Sequence, residues 1–282
     1  MRSSQIIIDL KNVSCILGNK YILQDINWTV RQGEHWAVVG LNGSGKTTLL
    51  KMINGYVFPS KGEMTVLGKT FGSYDWRQLR RELGFISSAL QESFYFNETA
   101  MEIVLSGIFS TIGLYDKPKK KDIENALSLL RQLNCARIAE QPYAELSQGE
   151  KQKVLIARAM ISSPKLLIMD EPCAGLDIFS REHLLSSIEN LGWGAGAPSI
   201  LYVSHHIEEI LPVFNRTLLL RRGKIHSSGK TRQVLSERNL SSFFETPVNV
   251  RWRKGRAWIQ EIARKSKGTE EQKSKAKKRK KV

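Results

Sequence analysis

The residues with the clearest chemical potential form one glycine-rich stretch, Gly40-Leu41-Asn42-Gly43-Ser44-Gly45-Lys46-Thr47. It matches the pattern G-x-x-x-x-G-K-[ST], in which each residue type has a physical reason. Glycines let the backbone fold around a phosphate with its N–H groups pointing inward. A helix that begins at Lys46 directs the positive end of its dipole to the same place. We therefore expect Lys46 to reach the β- and γ-phosphates of a nucleotide, and the Thr47 hydroxyl to bind magnesium.

A second chemical feature is the carboxylate pair Asp170-Glu171, which follows the apolar run 165–169. At the tip of a strand, the Asp170 carboxylate is suited to order magnesium-bound water. Glu171 is placed to polarise the attacking water as a general base. An Asp-Glu pair alone is most often a solvated strand end, but the phosphate loop favours the catalytic interpretation.

The elements that must position these residues are strands that alternate with helices. Segments 6–10, 21–30 and 36–39 are predicted strands, and a helix is predicted at 46–53. Helical spacing at 98–109 and 119–133 predicts a mostly helical insertion. Strand signals return at 165–169, 199–203 and 218–220, the last in a hairpin through Arg222-Gly223. This alternation predicts an α/β fold with helices on both faces of a parallel sheet. Ligands collect at the carboxyl ends of such strands, where Gly40, Asp170 and His205 all lie.

A third segment, Leu146-Ser147-Gln148-Gly149-Glu150, resembles the signature motif of the ATP-binding cassette (ABC) family. Ser147 and Glu150 make an S-x-x-E capping box at the start of a helix. Other stretches also resemble family elements: Ala174-Gly175-Leu176-Asp177 looks like the loop that crosses the dimer seam, and Ser204-His205 looks like the switch histidine. The resemblance covers residues 5–229.

The resemblance implies a P-loop NTPase core with an N-terminal antiparallel β part and a helical subdomain. It implies an ATP-hydrolysing subunit that forms a head-to-tail homodimer and drives a transporter subunit on a separate membrane-spanning chain. The implied catalytic residues are Glu171 and His205. The implied magnesium ligands are Thr47, Asp170 and Gln91. The implied ATP contacts are Gly40, Leu41, Asn42, Gly43, Ser44, Gly45, Lys46, Thr47, Thr48, Ser147, Gly149 and Asp177.

Three positions depart from the family pattern. Where the family has an aromatic residue that stacks on adenine, this chain has Leu17, and Tyr21 is the nearest aromatic. Where the family has a glutamine that binds magnesium, this chain has Ser88, and Gln91 follows three residues later. Either of these two side chains is a candidate for the role. Glu150 replaces the common glutamine of the signature motif.

Composition and charge bound the remaining interpretations. The 282 residues carry a net charge of +16, and half of it lies in 264–282, where ten Lys/Arg and two Glu give +8. The chain lacks the run of about 18 apolar residues that a membrane helix needs. It has three widely spaced cysteines, which fits a reducing cytosol. We expect a cytoplasmic protein, peripheral on the cytoplasmic face of a membrane.

The predicted division is an ATPase domain at 1–240, with the helical insertion at about 74–146, an extension at 241–263 and a basic disordered tail at 264–282. The tail is compatible with anionic lipid, nucleic acid, an import receptor or a purely solubilising role. A further set of residues mixes cations with aromatics, which suits base stacking or the packing of a terminal element on the body: Arg251, Trp252, Arg253, Lys254 and Trp258.

Two other functions compete with transport. A soluble cassette ATPase that acts on ribosomes, RNA or DNA is one, and the basic tail is the feature that favours it. Such proteins often carry two cassettes or long coiled-coil arms, whereas this chain has one cassette and no heptad run. A scaffold ATPase for cofactor assembly is the other.

Overall fold

The computed structural model describes residues 5–74, 76–87, 97–109, 111, 113–114, 116–194 and 196–262. Ser88, Gln91 and the basic tail at 264–282 therefore lie outside the described residues. The strands are β1 (Ile6–Leu17), β2 (Lys20–Arg31), β3 (Trp36–Val39), β4 (Lys61–Val66), β5 (Lys69–Thr70), β6 (Leu83–Ile86), β7 (Leu166–Asp170), β8 (Ser199–Ser204), β9 (Arg216–Arg221), β10 (Lys224–Lys230), β11 (Val248–Arg253) and β12 (Arg256–Glu261). The helices are α1 (Lys46–Ile53), α2 (Trp76–Arg81), α3 (Ala100–Phe109), α4 (Lys120–Gln132), α5 (Gln148–Met160), α6 (Ile178–Trp193), α7 (Thr231–Val234) and α8 (Glu237–Phe244).

A central sheet of order β10-β9-β3-β8-β7-β6 organises the molecule. Its strands from β9 to β6 are parallel, and β10 joins as an antiparallel edge. The sheet is buried on both faces. Ala37 and Val39 belong to a core shared with the helices α3 to α6, whereas Trp36 and Val38 belong to a core shared with α1 and the N-terminal strands. The predicted α/β fold is confirmed.

A second sheet, of order β2-β1-β4-β5, is antiparallel and covers one of those faces. The strand predicted at 6–10 continues to Leu17. The register of β1 shifts at several points, but β1 still pairs with β2 as far as Leu17 and Lys20. Asn12 takes a φ of 52° at one such shift, which breaks the apolar alternation that sequence patterns detect. The strand at 36–39 and the helix at 46–53 have the predicted bounds.

Packing of α3 against α5 fixes the direction of α5, whose first turn carries the signature segment. Gly107 of α3 allows this approach, because a Cβ there would lie 2.2 Å from the carbonyl oxygen of Arg158. The Arg158 guanidinium donates to Ser106 Oγ at 3.2 Å, and Ser162 Oγ donates to the Gly107 carbonyl at 3.0 Å. The two helices are therefore in backbone-to-backbone contact at this point.

We predict that Gly107→Ala destabilises the protein by about 2 kcal/mol, since forced overpacking costs roughly 1–3 kcal/mol. Helix propensity alone would stabilise the variant by about 1 kcal/mol, so the sign of the change tests the packing. Urea unfolding measures it. The matched control is Gly194→Ala, whose added Cβ would meet nothing closer than 3.4 Å. A Gly107→Ala protein as stable as the parent would contradict the close approach.

Candidate functional site

The phosphate loop joins β3 to α1, and its glycines are required by close contacts and backbone angles. A Cβ on Gly40 would lie 2.3 Å from Ser44 Oγ and 2.6 Å from the Leu220 carbonyl oxygen. Gly43 and Gly45 have φ values of 74° and 104°, which favour glycine. Gly45 is the N-cap of α1, so the free N–H groups of that helix open toward the loop.

The loop is held from outside by β2 and by the turn between β9 and β10. The Gly223 N–H donates to the Ser44 carbonyl at 2.9 Å, and the Gln24 N–H donates to the Gly223 carbonyl at 2.8 Å. A Cβ on Gly223 would lie 2.4 Å from the Ile22 carbonyl oxygen. The Arg222-Gly223 turn was visible in the sequence, but only the sheet order shows that it braces the phosphate loop.

The Lys46 side chain lies at the centre of the site and is only 6% exposed. Its ammonium donates to the Gly40 carbonyl at 2.8 Å and to the Leu41 carbonyl at 3.4 Å. The same nitrogen is 3.4 Å from Glu171 Oε1. Lys46 thus connects the phosphate loop to the end of β7.

Glu171 is held where β7 and β8 end side by side. Its N–H donates to the Val203 carbonyl at 2.9 Å, and its φ is 50°, so the chain turns sharply there. This turn places Glu171 Oε1 3.3 Å from His205 Nδ1. Burial, and then the neighbouring Glu171 carboxylate, raise the pKa of Asp170 to about 6. The structure therefore brings Lys46, Asp170, Glu171 and His205 together.

A cavity of about 850 Å³ opens over Lys46, Asp170 and Glu171, and His205 lies outside its lining. Its predicted members are the phosphate-loop residues from Asn42 to Thr48, together with Asp170 and Glu171. Gly40 and Leu41 lie in the same loop outside the cavity lining. Sequence reasoning missed several further lining residues, since they are typical of ordinary strands, turns and helices: Lys20, Ile22, Lys51, Tyr56, Phe85 and Ser87.

Ser147, Gly149 and Asp177 lie outside this cavity and form a second cluster, the signature cluster. Ser147 caps α5 and Asp177 caps α6, where its carboxylate accepts from the N–H groups of Phe179 and Ser180 at 2.9 and 3.0 Å. The two helix starts are neighbours, because a Cβ on Gly149 would lie 3.5 Å from Ser180 Cβ. One chain therefore presents a phosphate site and a separate pair of helix N-termini.

The capping box predicted from the sequence is present. Ser147 Oγ accepts from the Glu150 N–H at 3.4 Å, and Glu150 Oε2 accepts from the Ser147 N–H at 3.1 Å. The Ser147 hydroxyl also donates to Glu150 Oε2 at 2.7 Å, which is the first cause of the lowered pKa of Glu150. Arg137 lies 2.9 Å from the same carboxylate. Glutamate thus performs the capping role at this position.

The register of β1 and β2 separates the two candidates for adenine stacking. Leu17 pairs directly with Lys20, so both side chains lie on the face of the sheet that lines the cavity. Tyr21 pairs with Ile16 and points to the opposite face, where its hydroxyl accepts from Lys61 Nζ at 3.3 Å. Leu17, and not Tyr21, is on the cavity side of the sheet.

Known proteins match this chain closely. The family described as "ABC transporter" matches residues 23–174, more than half of the chain. The chain belongs to this family. An uncharacterized ABC transporter ATP-binding protein of Bacillus subtilis, YlmA, is 48% identical over 90% of this chain and 96% of its own length. A protein of Lactococcus lactis described in the same way, YmeB, is 41% identical over 86% and 94%.

Solved structures agree with the sequence matches. A protein described as a metal-chelate type ABC transporter, in an inward-facing conformation, superposes with a TM-score of 0.73 at 28% identity over 92% of this chain and 97% of that one. The dimeric structure of a bacterial ABC transporter cassette gives 0.68 at 27% identity over 80% and 99%. This ABC protein is an ATP-hydrolysing P-loop cassette of the transporter type, as predicted. The relatives and solved structures named above are all described as parts of ABC transporters.

Because Leu17 stands where the family has its stacking aromatic residue, and lies on the cavity face of the sheet, we predict weak discrimination between ATP and GTP. Aromatic stacking on a base is worth ~1–3 kcal/mol, so we expect the two affinities to agree within about tenfold. Leu17→Tyr should raise ATP affinity by up to about tenfold, or ~1.4 kcal/mol. Calorimetric titration of both nucleotides is the measurement, and Tyr21→Ala is the control that should change neither affinity. Loss of ATP binding in Tyr21→Ala would contradict the strand register.

Proposed function

We propose that this ABC cassette works as one of two identical subunits in a head-to-tail dimer, which drives a membrane-spanning transporter subunit carried on a separate chain. The separation of the phosphate cavity from the signature cluster is the observation that carries the proposal. Among the described residues of one chain, the signature cluster does not line the cavity, and it offers the N-terminus of α5 to an anion. A second copy in the reverse orientation would bring each signature cluster over the cavity of its partner. The dimeric cassette among the solved relatives supports this arrangement.

Within that dimer, we assign the chemistry to the convergent side chains of the cavity. Lys46 holds the β- and γ-phosphates, and the N–H groups of the loop surround them. Glu171 is the general base that takes a proton from the attacking water. His205 orients the Glu171 carboxylate through the 3.3 Å contact and senses the γ-phosphate. Ser147, Gly149 and Asp177 contact the nucleotide of the partner copy.

The oxygen donors of the cavity fit magnesium. The Thr47 hydroxyl and the Asp170 carboxylate line the same space, and both are hard ligands of the kind that Mg²⁺ prefers. Burial disfavours the negative charge of Asp170, and a bound cation offsets that cost. When bound, Mg²⁺ neutralises charge on the transferred phosphate. Gln91, predicted as a third ligand, lies outside the described residues.

We place the docking site for the membrane subunit on the helical insertion and the segment from Ser88 to Asn97, most of which lies outside the described residues.

No described helix is long and apolar enough to cross a bilayer. We further propose that the cassette works on the cytoplasmic face of the membrane. There the +8 charge of residues 264–282 would contact anionic lipid.

Glu171→Gln should bind ATP normally and lose turnover by about 10²–10⁴, since a general base contributes on that order. ATP should then hold two copies together, because closure no longer ends in hydrolysis. Phosphate release and light scattering with ATP measure the two effects. Glu63→Gln, an exposed change on β4, is the control that should leave both unchanged. Near-normal turnover in Glu171→Gln would remove Glu171 from the role.

Deletion of residues 264–282 should leave ATP hydrolysis unchanged, because the assigned catalytic residues end at His205. Binding to vesicles that contain phosphatidylglycerol should fall. The difference in binding between the full-length and the shortened protein should become smaller as the salt concentration rises. A full-length variant with its ten tail Lys/Arg changed to Ser separates charge from length, and should behave like the deletion. Salt-sensitive retention of the intact protein by RNA but not by vesicles would contradict the lipid assignment.

A further inference from the structure

The hairpin of β11 and β12 packs against the segment that follows His205. Ala257 is completely buried, and Trp252 packs against the core that the central sheet shares with the helices. At the hairpin turn, Gly255 has a φ of 76°, and a Cβ there would lie 2.8 Å from Pro212 Cγ. The hairpin is therefore fitted closely to the body rather than attached at its edge.

One side chain of this hairpin, Arg256, reaches two segments that lead directly to site residues. Its Nε donates to the Glu208 carbonyl at 2.7 Å, within the 3-10 turn at Ile207–Glu209. Its two terminal nitrogens donate to the carboxylate of Glu182 at 2.5 and 3.1 Å. Glu182 lies on α6, the helix that begins after Asp177. The guanidinium is 12% exposed, so water competes weakly for these contacts.

The same 3-10 turn is fixed from inside by a buried carboxylate, Glu209. It is 2% exposed and accepts from the hydroxyls of Tyr202 at 2.8 Å and Ser204 at 2.7 Å. Ser204 Oγ also accepts from the His206 N–H at 2.9 Å. The chain on both sides of His205 is thus tied to one buried group.

His205 itself depends on this support. Its side chain is 37% exposed and lies 3.3 Å from Glu171 Oε1, and its ring centroid is 4.1 Å from that of His206. His206 is held by the same backbone, through its N–H bond to Ser204 Oγ, so the direction of the His205 imidazole depends on that backbone. Small misplacements of a catalytic group reduce rates steeply, so the elements that hold this backbone have a kinetic role.

We propose that Arg256 is a positioning residue for ATP hydrolysis: from the C-terminal hairpin it fixes the turn after His205 from outside, while Glu209 fixes it from inside. This inference rests on the role proposed for His205. The hairpin lies beyond the residues matched by the family and beyond the phosphate-loop, signature and switch segments. It thereby makes a terminal element part of the catalytic apparatus, through the backbone rather than through contact with nucleotide.

The test compares Arg256→Gln with Arg253→Gln, its exposed cross-strand partner on the same hairpin. We expect Arg256→Gln to lower kcat about tenfold while KM and the directly measured ATP affinity stay within twofold. Arg253→Gln should change none of these values. Equal losses in kcat and in ATP affinity, or a kcat within twofold of the parent, would overturn the proposal.

A double variant distinguishes positioning from general destabilisation. If Arg256 acts through His205, then Arg256→Gln should have no further effect on kcat in a His205→Ala background. A further tenfold loss in that background would overturn the proposal. Normal turnover by His205→Ala would overturn the role of His205 and this inference with it. Impaired His205→Ala beside normal Arg256→Gln would overturn the inference alone.

Glu182→Gln supplies a second variant in case Arg256→Gln folds poorly, as judged by its Tm. It weakens the contact to α6 and leaves the Arg256 bond to the Glu208 carbonyl in place. We expect a smaller loss of kcat, about threefold, again without a change in KM. A fully active Glu182→Gln together with a fully active Arg256→Lys would overturn the proposal, because lysine cannot reproduce both contacts.

Discussion

The buried ammonium group of Lys46 is the constraint around which the site is built. A charge that is 6% exposed must be matched by acceptors, or its burial costs several kcal/mol. The acceptors here are the Gly40 and Leu41 carbonyls and the Glu171 carboxylate. Two of these acceptors belong to the phosphate loop and the third lies at the end of β7. The loop and the strand end must therefore converge on one nitrogen. The loop takes this path only with glycines, because a Cβ on Gly40 would lie 2.3 Å from Ser44 Oγ, and Gly43 and Gly45 have positive φ values.

The order of the parallel sheet meets this requirement. β3, β8 and β7 are consecutive neighbours, so the loop after β3 and the residues that end β7 and β8 share one edge. Asp170 pairs with Val203, which explains why Glu171 and His205 come within 3.3 Å although they are far apart along the chain. The central sheet, which is buried on both faces, therefore positions the charged side chains at one edge. These charged groups in turn make that edge a nucleotide site.

Much of this arrangement could be predicted from the sequence, because it is carried by local motifs at strand ends. The positive φ of Glu171 and the hydrogen bond from the Gly223 N–H to the Ser44 carbonyl could not be predicted, because both depend on which strands are neighbours in the sheet. The face of Tyr21 likewise depends on pairing register across a bulged strand, where one residue of slip reverses the side. The strand β11 does alternate apolar and polar residues from Val248 to Arg253, but β12 does not, because its neighbouring apolar residues Trp258 and Ile259 are both exposed. The hairpin was therefore not predicted. The packing predicted for this region does occur at Trp252, while Trp258 stays 42% exposed. The domain division remains a prediction.

The charge at the signature cluster illustrates why a departure from a family pattern need not disturb the site. Glu150 puts a carboxylate in the first turn of α5, where the helix dipole favours it but an incoming phosphate would be repelled. Three polar groups, on two residues, reduce that repulsion. The hydroxyl and the N–H of Ser147 donate to Glu150 Oε2, and Arg137 lies 2.9 Å from Oε1. The arginine brings the local charge of the pair to zero. The Asp177 carboxylate, which accepts from the N–H groups of Phe179 and Ser180 at the start of α6, is a separate negative charge of this cluster. Glutamate can therefore cap the helix without adding net charge to this cluster, provided that Arg137 stays in contact.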